Sequence, residues 1–170
     1  MGADAGEALM EPLKVLKKAK ADFNNARDDS DYMRIIKSLQ ETNKSDLPDI
    51  SALIGHCYIK LGEYDRGVHA FTDAADKAEK EPEHHNWCGY CYQNLKNYDE
   101  ALHHYTKAIE LGKTNGEYYY NRATVKKEIN NFQKLLMILN WQSNSGIQKA
   151  IQILSLRALS IKLTIQRVFA

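Results

Sequence analysis

Between Pro48 and Asn121 the chain repeats itself at a constant interval, the one that separates Gly55 from Gly89. Over the same interval Tyr58 recurs as Tyr92, Leu61 as Leu95, Tyr64 as Tyr98, Phe71 as Tyr105 and Ala74 as Ala108. One more step puts Ala123 under the glycines, Phe132 under the tyrosines at 64 and 98, and Leu139 under Phe71 and Tyr105. The separation of two packed helices depends on the side chains at their contact, so a fixed alternation of small and large residues fixes a helix pair. A chain built this way has no single central core, because each unit buries its apolar face against the next.

With Gly, Tyr, Ala and Phe or Tyr at these offsets, the pattern is similar to the tetratricopeptide repeat (TPR), a helix–turn–helix unit of about 34 residues. The second full unit matches best, through Gly89, Tyr92, Tyr98, Ala101, Tyr105, Ala108, Ile109 and Leu111. The first carries Gly55, Tyr58, Tyr64, Phe71 and Ala74, with Gly67 where alanine is usual. The third begins with Tyr119, Asn121, Arg122 and Ala123, then departs, with Leu135 and Gln142 at the family's alanine positions. Ser51 and His85 stand where the family has a tryptophan, and Trp87 lies two positions later. The resemblance implies an all-α, right-handed solenoid of antiparallel helix pairs; the sequence after it adds a C-terminal amphipathic helix that does not resemble the family's capping helix.

Taken in order, Leu9, Leu13, Leu16, Ala19 and Phe23 recur at helical spacing and predict a helix over 8–27. Asn24-Asn25 and Asp28-Asp29 break it, and Ser30 or Asp29 is placed to cap a second helix through Ile36 and Leu39. Residues 1–47 thus read as a helix pair, a degenerate repeat or an N-terminal cap, with a loop over 43–48. The repeat domain covers 48–142, in units of 48–81, 82–115 and a divergent 116–142. First helices are expected near 49, 83 and 117, with turns at Gly62-Glu63, Lys96-Asn97 and Asn130-Asn131. Ser143-Asn144-Ser145-Gly146 reads as a break. After it, residues 147–170 carry an apolar stripe of Ile147, Ile151, Leu154, Ala158, Ile161, Ile165 and Val168, edged by Lys149, Arg157, Lys162 and Arg167. That basic amphipathic helix is expected to pack on the open end of the third repeat or on a second protein, since a large apolar patch marks an interaction site.

The formal net charge of +1 hides an asymmetry. Residues 1–128 hold all 22 acidic residues against 18 Lys and Arg, whereas 129–170 hold five Lys or Arg and no acid. An acidic repeat region excludes nucleic acid as its ligand, because phosphate binding needs clustered positive charge. No secretory signal precedes the repeats, no uncharged apolar run is long enough for a transmembrane segment, and the cysteine count of three is odd. These features fit a cytoplasmic protein; by family habit, cytoskeletal and ciliary complexes are natural homes for small proteins of this kind.

No phosphate loop, nucleophile elbow or H-E-x-x-H motif is present, so no catalytic residues and no cofactor are expected. Cys88-x-x-Cys91 with His84 and His85 looks like a metal cluster, but Cys57 lies one full period before Cys91. Shared register makes these thiols small core residues, and no metal site is assigned. His103-His104 reads as an exposed surface pair, and Tyr118 and Tyr120 as the surface candidates among ten tyrosines. The resemblance implies that the first helices line a concave groove holding a peptide or helix of a protein partner. Its expected residues are His56, Lys60, Asn86, Tyr90, Asn94, Tyr120, Asn121 and Lys127, beside Ala52, Ile59, Gln93 and Thr124. In the family's chaperone-binding members a clamp of Lys, Asn and Arg holds a peptide carboxylate. Its positions are here Ala52, His56, Trp87, Glu117 and Asn121, which cannot reproduce it. The functional expectation is a non-catalytic interaction module, scaffold or adaptor. The alternatives are a membrane-surface protein using its basic tail and a cytoskeletal or axonemal subunit.

Overall fold

A computed structural model describes residues 4–42 and 47–168. Its elements are α1 (Asp4–Asn25), α2 (Asp29–Thr42), α3 (Pro48–Lys60), α4 (Tyr64–Lys77), α5 (Pro82–Asn94), α6 (Tyr98–Leu111) and α7 (Gly116–Val168). Among the described residues there is no strand. The chain divides into two compact units, Met1–Lys126 and Lys127–Ala170.

In the first unit the repeat corners are built identically. Pro48 and Pro82 open α3 and α5, where a missing N–H loses nothing. Each of these helices ends in a Schellman turn: Gly62 N–H donates to Ile59 and Glu63 N–H to Tyr58, and in the next repeat Lys96 donates to Gln93 and Asn97 to Tyr92. The left-handed residue is Gly62 in the first corner (φ 72°) and Lys96 in the second (φ 62°). Behind each corner the second helix returns and presses a ring onto a glycine. A Cβ on Gly55 would lie 2.7 Å from Phe71, and one on Gly89 2.8 Å from Tyr105. Both rings are fully buried. This is the physical content of the small-and-large alternation in the sequence.

α1 and α2 add a layer before α3: Leu16, Ala19, Ile35, Ile36 and Leu39 share one core with Ile50, Leu53, Ile54 and Cys57. The cap of α2 differs from expectation. Asp28, one residue earlier than Asp29, accepts the Asp31 N–H at 3.1 Å and the Ser30 hydroxyl at 2.6 Å, and these bonds hold its carboxyl below the usual range. The expected loop at 43–46 lies outside the described residues.

The third helix pair is a correction. α7 runs through Asn130-Asn131 and through the expected break at 143–146 as one helix, and the segment after 147 continues it. Asn130 occupies the register of Gly62 and Lys96 and tolerates a left-handed turn, so the corner itself is not forbidden. What is missing is the reward for returning. At the register of Leu135 the first repeat has Gly67, where even an added Cβ would stand 2.9 Å from the Cys91 sulfur. The second repeat has fully buried Ala101 there. Leucine does not fit such a contact, and Gln142 would bury an amide where Ala74 and Ala108 are fully buried. The consequence shows on the first turns of α7. Tyr119, in the register of buried Ser51 and His85, is 42% exposed, and Ala123, in the register of Gly55 and Gly89, is exposed as well.

In the second unit α7 is the described element, and its apolar side chains face solvent. Phe132, Leu135, Leu136, Leu139, Ile147, Ile151 and Leu154 are all about half exposed or more. Of the tail stripe, Ile147, Ile151 and Leu154 therefore face solvent.

Candidate partner-binding groove

Along α3 and α5 the repeat register places one face of each helix side by side. His56 stands edge-on to Trp87, ring centroids 4.7 Å apart at 84°, and edge-on to Phe71 at 5.1 Å. Trp87 lies nearly parallel to Phe71 at 6.0 Å and meets Tyr90 edge-on at 5.7 Å, and Tyr90 meets Tyr64 at 6.3 Å. Edge-on and offset pairs suit the ring quadrupoles and lock these side chains in place. Burial pushes the His56 imidazole below its ordinary pKa, against the pull of Glu83, so its ring is neutral at pH 7. His56, Trp87 and Tyr90 are each half-buried, rigid beneath and open above.

The remaining expected residues divide by what they already hold. Asn121 on α7 donates to the Asn86 side chain at 2.9 Å, and Asn86 is 3% exposed, so this pair ties α5 to α7. The Asn94 amide donates to the Tyr90 carbonyl, and Gln93 accepts from the Tyr105 hydroxyl at 3.0 Å. Tyr120 and Lys60 face solvent, Tyr120 with 72% of its surface. Lys127 falls in the second unit. Trp87 is not among the expected groove residues; the family template draws attention to a tryptophan two positions earlier, while the ring at 87 follows the face of Glu83 and Tyr90. Its indole N–H donates to Glu83 at 3.3 Å. Asp49, Glu83 and Glu117 sit in the first turns of α3, α5 and α7 at successive repeats of one register, one turn ahead of that face.

Two other polar clusters take the missing tryptophan positions. Ser51, 2% exposed, donates to Asp73, and Lys77 donates to Asp73 at 2.7 Å and to Ser51 at 3.2 Å. A serine beside a lysine suggests a nucleophile, but this hydroxyl is sealed and committed to a carboxylate, so it ties α3 to α4. The second cluster corrects the reading of His104 as a surface residue. His104 stacks on Tyr92 at 5.3 Å and lies 5.8 Å from His85, while His103 stays exposed. The Nδ1 atoms of His84, His85 and His104 are buried without a partner among the described residues. Tyr118 is likewise buried, against Ala108 and Ile109, because its register is that of buried Ile50 and His84. Cys57, Cys88 and Cys91 are buried free thiols, and burial pushes them up to about 12, 11 and 12. These thiols are unreactive at neutral pH. Among the described residues no group of three or more His, Cys, Asp or Glu is placed to hold a metal ion.

Family models described as tetratricopeptide repeat match residues 48–76 and 82–115, the two hairpins whose corners and ring-on-glycine contacts coincide. The chain is a tetratricopeptide repeat protein. Solved structures, TPR domains among them, share the fold at low identity. The Sgt2 TPR domain from Aspergillus fumigatus superposes with a TM-score of 0.65 at 16% identity, over 74% of this chain and 83% of that one. The first TPR of Spaghetti (RPAP3), bound to the HSP90 peptide SRMEEVD, gives 0.64 at 15%, over 70% and 93%. The translocator chaperone SycD of Yersinia enterocolitica type III secretion gives 0.56 at 18%, over 71% and 81%. No match was found among curated protein sequences. No helix among the described residues of this TPR protein is long and apolar enough to cross a membrane.

Proposed function

We propose that this TPR protein is a non-catalytic scaffold or adaptor subunit of a cytoplasmic assembly, and that its groove holds a segment of a protein partner. The observation that carries the reading is the row His56–Trp87–Tyr90, three interlocked half-buried rings spanning two repeats. A rigid aromatic platform gives contact area without further loss of side-chain freedom, which is the usual make-up of a binding hot spot. The charge around it argues for a partner unlike SRMEEVD, the acidic peptide held by the RPAP3 domain. Where a carboxylate clamp needs cations and amides, this chain has Ala52, His56, Trp87 and Glu117, and its Asn121 is engaged with Asn86.

The test is affinity purification of the full chain from its native source, with Trp87→Ala and His103→Ala compared. Trp87→Ala, checked for retained helix content, is expected to lose its co-purifying partner, and the exposed His103→Ala to keep it. Equal retention by both variants would show that the groove is not the binding surface. Tight binding of SRMEEVD would refute the charge argument.

A further inference from the structure

The described apolar side chains on the second half of α7 face solvent. Phe132, Leu136, Leu139, Ile147 and Leu154 follow one another at helical steps, and all five are exposed. A contiguous apolar face of this size marks an interaction site. Its charge says what covers it. Residues 129–170 carry five Lys or Arg and no acid, so a second copy of the same helix would oppose like charge with like. The acidic complement lies on the first unit, where Asp49, Glu83 and Glu117 rim the aromatic groove. Every first turn gains from an acid through the helix dipole. These three also share one edge of the groove, with Lys60 as the countercharge at the far end of α3. Asp49 is already paired with Lys20 at 2.7 Å, but both side chains are more than half exposed, and such a pair exchanges readily.

We infer that the groove of one copy receives the basic, apolar 132–159 segment of α7 from a second copy. The inference rests on the groove reading above and names its occupant. Three first helices at roughly 8–10 Å spacing span on the order of 20 Å. About 14 residues of helix cover that length, so 132–159 is long enough. Phe132, Leu136 and Leu139 would then meet Trp87 and Tyr90, with Lys149 on the flank of that face turned to the acidic rim. Because groove and tail are different surfaces, the contact is head-to-tail, and it closes into a ring or continues as a chain.

The experiment is sedimentation velocity of the full chain from about 1 to 100 µM at low and high salt. Mass is expected to rise with concentration and to fall with salt. A groove variant (Asp49→Lys, Glu83→Lys, Glu117→Lys) and a tail variant (Lys149→Glu, Arg157→Glu) should each weaken association roughly tenfold, as a few exposed pairs allow. Mixing the two should restore it. The neutral pair Glu83→Gln, Glu117→Gln, gentler on the fold, should fall between wild type and the groove variant. A full chain that stays monomeric throughout, or a mixture that fails to restore association, overturns the inference. So does a monomer that floats with phosphatidylserine vesicles through its tail. A monomer that still loses its native partner on Trp87→Ala removes the second copy as occupant and leaves the groove reading intact.

Discussion

Acid should loosen this protein through His104 well before its carboxylates titrate. The ring lies between α5 and α6, stacked on Tyr92, with Nδ1 buried and unpartnered among the described residues. Protonation would put a charged donor where no acceptor waits. Burial, then His85, His103 and Lys107, therefore depress its pKa from 6.5 to about 4. Burial lowers His85 and His56 in the same direction. A depressed imidazole contributes stability that is complete above pH 6.5 and is lost as pH falls towards the folded-state value. The full shift corresponds to about 3 kcal/mol; solvent around the partly exposed ring reduces this to about 1–2 kcal/mol. Asp73 does not compete in this window. Burial raises it, but hydrogen bonds from Lys77 and Ser51 prevail and hold it below the usual carboxylate range. The assay is urea unfolding of the full chain at pH 7 and pH 5, followed by helical circular dichroism. His104→Phe keeps a ring on Tyr92 and removes the titrating site. Its loss of stability between the two pH values should be smaller than wild type by about 1 kcal/mol or more. If the variant loses as much as wild type, the buried-imidazole reasoning fails.

Gly89→Leu should destabilise by about 1–3 kcal/mol through overpacking, because a Cβ there already lies 2.8 Å from fully buried Tyr105. Gly146→Ala, with nothing within 4 Å, should gain up to about 1 kcal/mol of helix propensity; comparable losses in paired denaturation curves would contradict the repeat packing. Lys96→Gly should stabilise by about 1 kcal/mol by relieving a left-handed lysine, and a lower melting temperature would mean the Lys96 side chain matters more than its backbone.

The first two hairpins are legible because their evidence is local: Gly55 and Phe71 are separated by the same short interval as Gly89 and Tyr105, and each pair contacts directly. The corner at Asn130 misleads for the opposite reason. Asn-Asn is good turn chemistry, but whether a chain turns depends on what the returning helix meets, and Leu135 and Gln142 already announce a misfit. His104 escapes a sequence reading because its burial depends on His85 standing in a tryptophan register. A histidine beside another histidine on a helix carries no such signal by itself. Trp87 is visible as a residue but not as a groove residue, since its role comes from His56 and Tyr90 arriving on either side of it.

The uninterrupted helix after Gly116 joins two kinds of backbone protection. Its first turns are held by tertiary contacts: Tyr118 against Ala108 and Ile109, Asn121 on Asn86, and Val125 with no exposed surface. From Asn130 the same ladder of amides continues over side chains that, among those described, are almost all exposed. Opening the early turns requires the stack to come apart, whereas opening the later ones requires local fraying alone. Amide hydrogen exchange along this single helix, measured on the dilute, unassociated chain, should therefore show a step near residue 130. Slow exchange would precede it and rapid exchange follow, a discontinuity in lifetime where the backbone trace has none.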